Sequence, residues 1–330
     1  MGALGQDRAG GELMDLTLTE DQELVQRTAR ELLAARADSA SARVAGAEPG
    51  GYSAALWKEF VELGWTGLAF DADLGGFLEA CLLFEELGRF AVPSPLLTSV
   101  VCGMAAPSVR EDVSAGRVHT YARVVDGVAE LVPYAASADA FVVSDGSAVS
   151  VVPAGDVVSV ERQDVIGLDP KYRVRFDSLP SAVPAGDVES FGAAAVCAEM
   201  VGGAQAVLDE TVAYAGQRSQ FGKPIGSFQA VQHHCANMAI DVLGARFIAY
   251  EAIWRLARGL DAATEVAVAK SWVSEAYQRV CALGHQVHGA IGFTAEHDLH
   301  FHTRHAIASA LTYGDPDTHT DRLATLIGMP

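Results

Sequence analysis

The sequence predicts an α+β protein in three parts: an N-terminal helical domain, a small middle β-domain and a C-terminal antiparallel helix bundle. Three observations carry this reading. Apolar residues recur at helical spacing from Leu16 to about Arg117. From 118 to 184, Val, Tyr, Phe and Ala alternate with Asp, Ser and Gly in short runs. From 185 onward, long helical patterns return with short turns between them. The expected domains are therefore 16–117, 118–184 and 185–330, behind a Gly-rich leader over 1–15 that is read as disordered.

The first helix is expected in LTEDQELVQRTARELLAARAD. Thr17 or Thr19 serves as its N-cap, with acids in the first turn. Leu24, Val25, Ala29, Leu32 and Leu33 form its apolar face. AALWKEFVELGW predicts a second helix ending at Gly64, and EACLLFEELGRF a third ending near Gly88. Pro93 and Pro95 break the chain before the next one. HTYARVV, AELVPYA, AFVVSD, AVSVVPA, DVVSVER and YRVRFDS predict strands of an antiparallel sheet, with a partly open barrel as one form it could take. A long helix follows over Phe191–Gln217, with Cys197, Met200, Val201, Ala204, Val207, Leu208 and Val212 on one face. Further helices are expected over Ser227–Gly259, Ala262–His288 and Glu296–Leu311, with a last one after Pro316. This order is not the alternating βαβ order of a dinucleotide-binding sheet. No G-x-G-x-x-G follows a predicted strand, and no phosphate loop occurs.

The chain has 330 residues and is 50% hydrophobic, ample for a large core. Its apolar runs read as shorter than the ~18 residues of a membrane span. MGALGQDRAGGELMD has no apolar segment of the kind a secretory signal needs, so a cytoplasmic protein is expected, starting at Met1 or Met14. Cys81, Cys102, Cys197, Cys235 and Cys281 form no C-x-x-C pair and read as reduced core thiols. The formal charge of −19 argues against nucleic acid or an anionic membrane as partner. An anionic ligand must then be held by a local cluster of donors.

One such cluster stands out in RSQFGKPIGSFQ, residues 218–229, where Gly222 and Pro224 interrupt two long helices. Arg218 offers a planar fork for a phosphate, and Phe221 a plate for a heterocycle. Gln220 and Gln229 add donors. An Arg at a helix C-terminus is also an ordinary cap, favoured by the macrodipole. A second stretch, HQVHGAIGFTAEHDLHFHTRHA over 285–306, carries Gly289 and Gly292 in a small-residue turn. Such a turn lets backbone N–H groups approach a ligand, or simply caps a helix. Its histidines invite a metal reading. His297 and His300 are three apart, as are His302 and His305. At ~100° per residue, His302 points about 140° away from His297, and His305 about 140° away from His300. No metal site is therefore expected. No nucleophile elbow occurs, and neither Cys197 nor Cys235 has a neighbour that would lower its pKa.

MVGGAQAVLDETVAYAGQRSQFGKPIGSFQAVQHHCANM over 200–238 and QVHGAIGFTAEHDLH over 286–300 together resemble the acyl-CoA dehydrogenase family. LTEDQELVQRTARELL, GWTGLAFDADLGG and EELGRFAVPSPLL resemble its earlier landmarks, so the resemblance covers nearly the whole chain. It implies FAD as cofactor, α,β-desaturation of an acyl-CoA thioester, and an oligomer sharing FAD across a subunit contact. The positions matching the adenosine–pyrophosphate half of a neighbour's FAD are Arg218, Gln220, Phe221 and Gln229. Gln286, Val287, Gly289 and Ala290 line the same region. Electron-transfer flavoprotein is the usual acceptor.

The chain also departs from the family. The Glu that serves as base in one branch falls at Tyr313, within LTYGDPDTH, where only Gly314 of the Glu-Gly pair remains. A phenol with pKa ~10 is poorly matched to a neutral-pH base. In another branch the base position falls near Gly192. Asp315 and Glu199 are the nearest acids, both more simply read as structural. The ring-holding landmarks of the β-domain are weak too: TYARVVDG and VPYAASADAFVV stand in for them, the latter without its Trp. These departures point to a subunit without the usual Glu, in a homo-oligomer or beside a second acyl-CoA dehydrogenase-like chain. The alternatives are a self-sufficient dehydrogenase using Asp315, or a relative with monooxygenase or biosynthetic desaturase chemistry.

Overall fold

The computed structural model describes residues 17–36, 48, 50–71 and 73–329; the leader and Met14 lie outside the described residues. Helix α1 spans Glu20–Arg36. Thr19 is its cap. The Thr19 hydroxyl accepts the Gln22 N–H, and the Gln22 side chain accepts the Thr19 N–H, a reciprocal pair that satisfies two orphan donors. Ala29 and Leu33 are buried, but Leu24 is exposed, because α1 rests on the protein along a narrower stripe than the five apolar positions suggested. Helix α2, Ala54–Glu62, is capped by the Ser53 hydroxyl and ends before Gly64, which takes a left-handed φ of +73°.

Helix α3 spans Phe77–Arg89 and runs through Gly88, where the sequence suggested a stop. The glycine has a different use. A Cβ at Gly88 would lie 1.9 Å from the Glu199 carbonyl oxygen, and one at Gly202 would lie 1.8 Å from that of Glu85. Two glycines therefore let α3 meet helix α6, Val188–Gln217, backbone against backbone. The carboxylates of α3 tie this crossing to its surroundings. Buried Glu85 accepts from Arg246 at 2.7 and 2.9 Å and from the Tyr250 hydroxyl at 2.6 Å. Buried Glu86 accepts both prongs of Arg30. Each buried charge thus has a partner that offsets its desolvation. Helix α4, Leu96–Ala105, and the short α5, Arg110–Ser114, complete the first helical part.

The six expected strands all form: β1 His119–Val125, β2 Val128–Pro133, β3 Ala140–Ser144, β4 Val149–Pro153, β5 Ser159–Gln163 and β6 Lys171–Arg175. Their order is β4-β3-β1-β2-β6-β5. The sheet is not wholly antiparallel, since β1 and β3 run parallel with His119 opposite Ala140. The β1–β2 hairpin occupies one edge of β1, leaving only the other. A short turn after Tyr134 carries the chain back to it, and the Asp139 carboxylate accepts the Val118 N–H at 2.8 Å to seat β3 there. Outer strands β4 and β5 do not pair, so the sheet stays open.

Helices α6, α7 (Gln229–Ala257) and α8 (Ala263–His288) form the bundle, followed by α9 (Leu299–Leu311) and α10 (Pro316–Leu326). Of the α6 face expected to be apolar, Cys197, Met200, Val201, Ala204 and Val207 are buried and Val212 is exposed. Helix α6 is long and apolar enough to cross a bilayer by composition, contrary to the sequence expectation, but 78% of its apolar window is buried within the protein. A core helix of a large protein has the same composition. Cys81, Cys102, Cys197 and Cys281 are buried free thiols, and Cys235 is half-buried. Burial pushes the Cys197 and Cys281 thiols up to about 12, which keeps them protonated.

Candidate functional site

The corner between α6 and α7 presents its polar groups outward. Arg218, Gln220 and Gln229 are all exposed. Among the described residues the Arg218 guanidinium has no ion pair or side-chain hydrogen bond. Two short strands, Ser219–Gln220 and Lys223–Pro224, pair across the turn and hold it in shape. Phe221 sits at the tip with φ +53°, 92% exposed, edge-on to Phe228. A large aromatic held in the left-handed region and offered to water costs free energy in isolation. Such a tip suits a plate for an external ligand.

The second stretch lies at the same end of the bundle. Gly289 caps α8 with φ +64°, a conformation open to glycine. Gln286, Gly289 and Ala290 are exposed, whereas Val287 is buried and its side chain belongs to the core. Buried His288 stacks on Tyr214, one turn before Arg218, with ring centroids 4.4 Å apart. This contact ties the Gly289 loop to the corner. The fold therefore brings the two sequence stretches to one end of the bundle, where Arg218, Gln220, Gln229 and Gln286 are exposed.

Beside them, ligand atoms of Glu210, His288 and His297 lie within 4.8 Å of one another. The two rings differ: His288 Nδ1 donates to the Gly284 carbonyl at 2.8 Å, which leaves its buried Nε2 without a partner among the described residues, whereas His297 has the opposite tautomer. The Leu299 N–H donates to His297 Nδ1 at 3.2 Å, which leaves the proton of a neutral ring on Nε2, 3.8 Å from Glu210. A metal on this cluster would have to displace the His297 Nε2 proton. His302 and His305 are buried elsewhere, both on the Tyr277 hydroxyl at 3.2 and 3.3 Å.

A different constellation surrounds Tyr313. This residue sits at φ +56° between α9 and α10, with its ring stacked on Tyr121 at 5.8 Å. The same ring fills the space over Gly192: a Cβ there would be 2.3 Å from Tyr313 Cε1. Buried Lys270 on α8 pins the turn, donating to the Ala310 and Gly314 carbonyls at 2.8 Å each and to Ser274 at 3.2 Å. Burial lowers the Lys270 ammonium to about 8. His319 Nε2 donates to the Tyr313 carbonyl at 2.8 Å. Burial pushes the Tyr313 phenol well above its ordinary value, so it stays neutral.

Of the two nearby acids, Asp315 is the N-cap of α10. Its carboxylate accepts the Thr318 N–H at 2.7 Å, and hydrogen bonding to Thr318 holds it below the usual range. Glu199 pairs with His305 at 3.3 Å. Glu199 lines a cavity of about 30 Å³ behind Tyr313, together with Thr98, Asp169 and Lys171. That volume holds about one water. Sequence reading passed over both buried lysines. Lys270 had a signal, since it falls between Val266 and Val273 on the apolar face of its helix. Lys171 had none, because a strand of five residues gives no surplus of pattern.

The family profile described as acyl-CoA dehydrogenase, C-terminal domain, matches residues 190–327, and that of the N-terminal domain matches residues 19–115. Acyl-CoA dehydrogenase IpdE2 of Mycolicibacterium smegmatis is 30% identical, covering 93% of this chain and 98% of its own. IpdE2 of Mycobacterium tuberculosis is 31% identical, covering 91% and 95%. Among solved structures, the ChsE4–ChsE5 complex from Mycobacterium tuberculosis superposes with a TM-score of 0.86 at 26% identity, over 96% of this chain and 100% of that one. A variant of the Tcur3481–Tcur3483 steroid ACAD gives 0.85 at 25% identity, over 94% and 98%. Fold and family profiles thus define a flavoprotein oxidoreductase. The chain belongs to the acyl-CoA dehydrogenase family, whose cofactor is FAD. The unpaired Arg218 and the exposed Phe221 fit a planar, anionic group such as this one.

Proposed function

We propose that this chain is a subunit of an FAD-linked acyl-CoA dehydrogenase that lends its Arg218 corner to the FAD of an adjacent subunit and does not itself supply the base. The complex desaturates an acyl-CoA thioester between its α and β carbons. The observation that carries the reading is the contact of Tyr313 with Gly192. The family resemblance puts the base at one or other of these two places. Here one holds a neutral phenol, the other holds no side chain, and the phenol ring fills the space between them. Asp315 is occupied as a helix cap, which weighs against a self-sufficient enzyme using it.

Arg218, Gln220, Phe221 and Gln229 would hold the adenosine–pyrophosphate half of FAD, with Gln286, Gly289, Ala290 and the backbone of Val287 beside them. When bound, FAD supplies the acceptor for the hydride leaving the β carbon. The base comes from a second acyl-CoA dehydrogenase-like chain, in keeping with the paired names of the ChsE4–ChsE5 and Tcur3481–Tcur3483 relatives. Reducing equivalents leave by electron-transfer flavoprotein, and the complex works in the cytoplasm.

The test is to purify this chain alone and together with a dehydrogenase-like partner encoded beside it. Bound FAD is measured by visible absorbance and its bleaching by acyl-CoA. The expected result is FAD and bleaching only with the partner. Stoichiometric FAD that bleaches in the chain alone overturns the reading.

A further inference from the structure

Glu210 on α6, His288 at the end of α8 and His297 just before α9 come from three separate segments, and one ligand atom of each lies within 4.8 Å of the others. The sequence pattern hid this set, since only His297 belongs to the run of histidines from His297 to His305. His288 is 4% exposed and is fixed on two sides. Its Nδ1 donates to the Gly284 carbonyl at 2.8 Å, and its ring stacks on Tyr214 with centroids 4.4 Å apart. Nε2 is therefore the one ring nitrogen it can offer, and this buried lone pair accepts no hydrogen bond among the described residues. A buried acceptor left without a donor costs free energy, so the position favours a group that fills it.

Two imidazoles and a carboxylate are the donor set of zinc and its neighbours, whereas calcium and magnesium prefer oxygen alone. The His297 ring stands edge-on to His288 at 4.9 Å, and its Nε2 is 3.8 Å from Glu210. Ligands around a tetrahedral zinc lie about 3.4 Å apart, so the set must close by about an ångström. The Glu210 side chain can move that far, since it is 38% exposed and on the surface of its helix. The ion takes the place of the His297 Nε2 proton. The neutral ring then carries its proton on Nδ1 and gives up the Leu299 N–H, a single contact of 3.2 Å, against three metal bonds gained. The formal charge of −19 favours a cation in turn.

We propose that Glu210, His288 and His297 form a binding site for one transition-metal dication of the zinc type, with water in the remaining position. The ion clips α6 to the end of α8 and to the segment entering α9, and so fixes the Gly289 turn between them. The Gly284 carbonyl orients the His288 ligand from behind, as such carbonyls do at metal sites. The site is structural, and it stands independently of the partner-subunit reading.

Equilibrium dialysis of the chelator-stripped full chain against Zn²⁺, read by elemental analysis, tests this. One equivalent is expected to bind with a dissociation constant of about 1 μM, weaker than four-ligand structural sites. Glu210→Gln, which keeps the side-chain shape, should weaken binding at least about tenfold, since even groups one step removed from a metal cost 10–100-fold. His297→Gln should do the same. Without metal, Glu210→Gln should melt as the wild type does, and Zn²⁺ should raise the melting temperature of the wild type only. Co²⁺ in place of Zn²⁺ should give visible d–d absorption in the wild type that Glu210→Gln lacks. No saturable uptake, as when a water fills the gap, overturns the proposal. So does equal uptake by wild type and Glu210→Gln, which would put the ion on other histidines. Displacement of Zn²⁺ by an equal concentration of Ca²⁺ also overturns it.

Discussion

The Tyr313 ring lies directly over the Cα of Gly192, so that the two residues share one volume: what the tyrosine fills is what the glycine leaves open. The pair is also an ordered one. Tyr313 is held from above by Tyr121 and from below by the turn that Lys270 pins.

Gly192→Ala should therefore destabilise the protein by about 1–3 kcal/mol, the usual cost of overpacking a filled site. Urea unfolding measures it. In a Tyr313→Ala background the same substitution should cost much less, because the clashing ring is gone and the two sites couple. Equal cost in both backgrounds would mean that the contact carries no energy.

Tyr313→Phe tests whether the hydroxyl takes part in chemistry. Burial keeps this phenol neutral, so its removal should leave the rate of flavin bleaching in the complex within about twofold of wild type, against the roughly 10²–10⁴-fold contribution of a true general base. Rapid-mixing absorbance at saturating acyl-CoA reads the rate. A loss of two orders of magnitude would make Tyr313 catalytic.

Arg218→Ala should lower the FAD affinity of the complex about tenfold or more, since a charge-assisted contact to a phosphate is worth roughly 1.5–3 kcal/mol. The fold should be unaffected, because the guanidinium is exposed and pairs with nothing among the described residues. FAD retained through gel filtration, measured against the melting temperature, separates the two effects.

His302 predicts a pH dependence. Burial lowers its pKa from 6.5 to about 3, with the nearby His305 adding to the shift. The unfolded chain binds the proton more readily than the folded one, so stability is full above about 6.5 and falls as pH drops from there toward 3. Across that window the loss from this group alone approaches about 1.4 kcal/mol per pH unit. His302→Gln should make the measured fall shallower by that slope. His305 acts in the opposite sense. Burial alone would lower it, but the Glu199 carboxylate outweighs burial and raises it, so its contribution is present below about 6.5 and is lost as pH rises through its folded value.

Much of the architecture was legible because local patterns report it. A threonine cap at Thr17 or Thr19, which the structure resolves to Thr19, the stop at Gly64 and the six alternating strands follow from hydrogen-bonding needs within a few residues. Gly88 misled for the same reason. A glycine near the end of an apolar pattern reads locally as a stop, while its use here depends on Glu199, a residue far away in the chain. The parallel pairing of β1 with β3 was likewise hidden, since strand direction depends on which edge is free after the hairpin forms.

By itself the sequence determined the three-part order, the donor-bearing corner over Arg218–Gln229 and the absence of a carboxylate at position 313. Periodicity, turn residues and residue identity carry those facts without reference to distant neighbours. Only the tertiary structure decided that Tyr313 and Gly192 meet, that Asp315 is a cap, and that Lys171 is buried. Each of those depends on groups far apart in the chain being packed to within a few ångströms, and packing at that scale leaves no periodic trace.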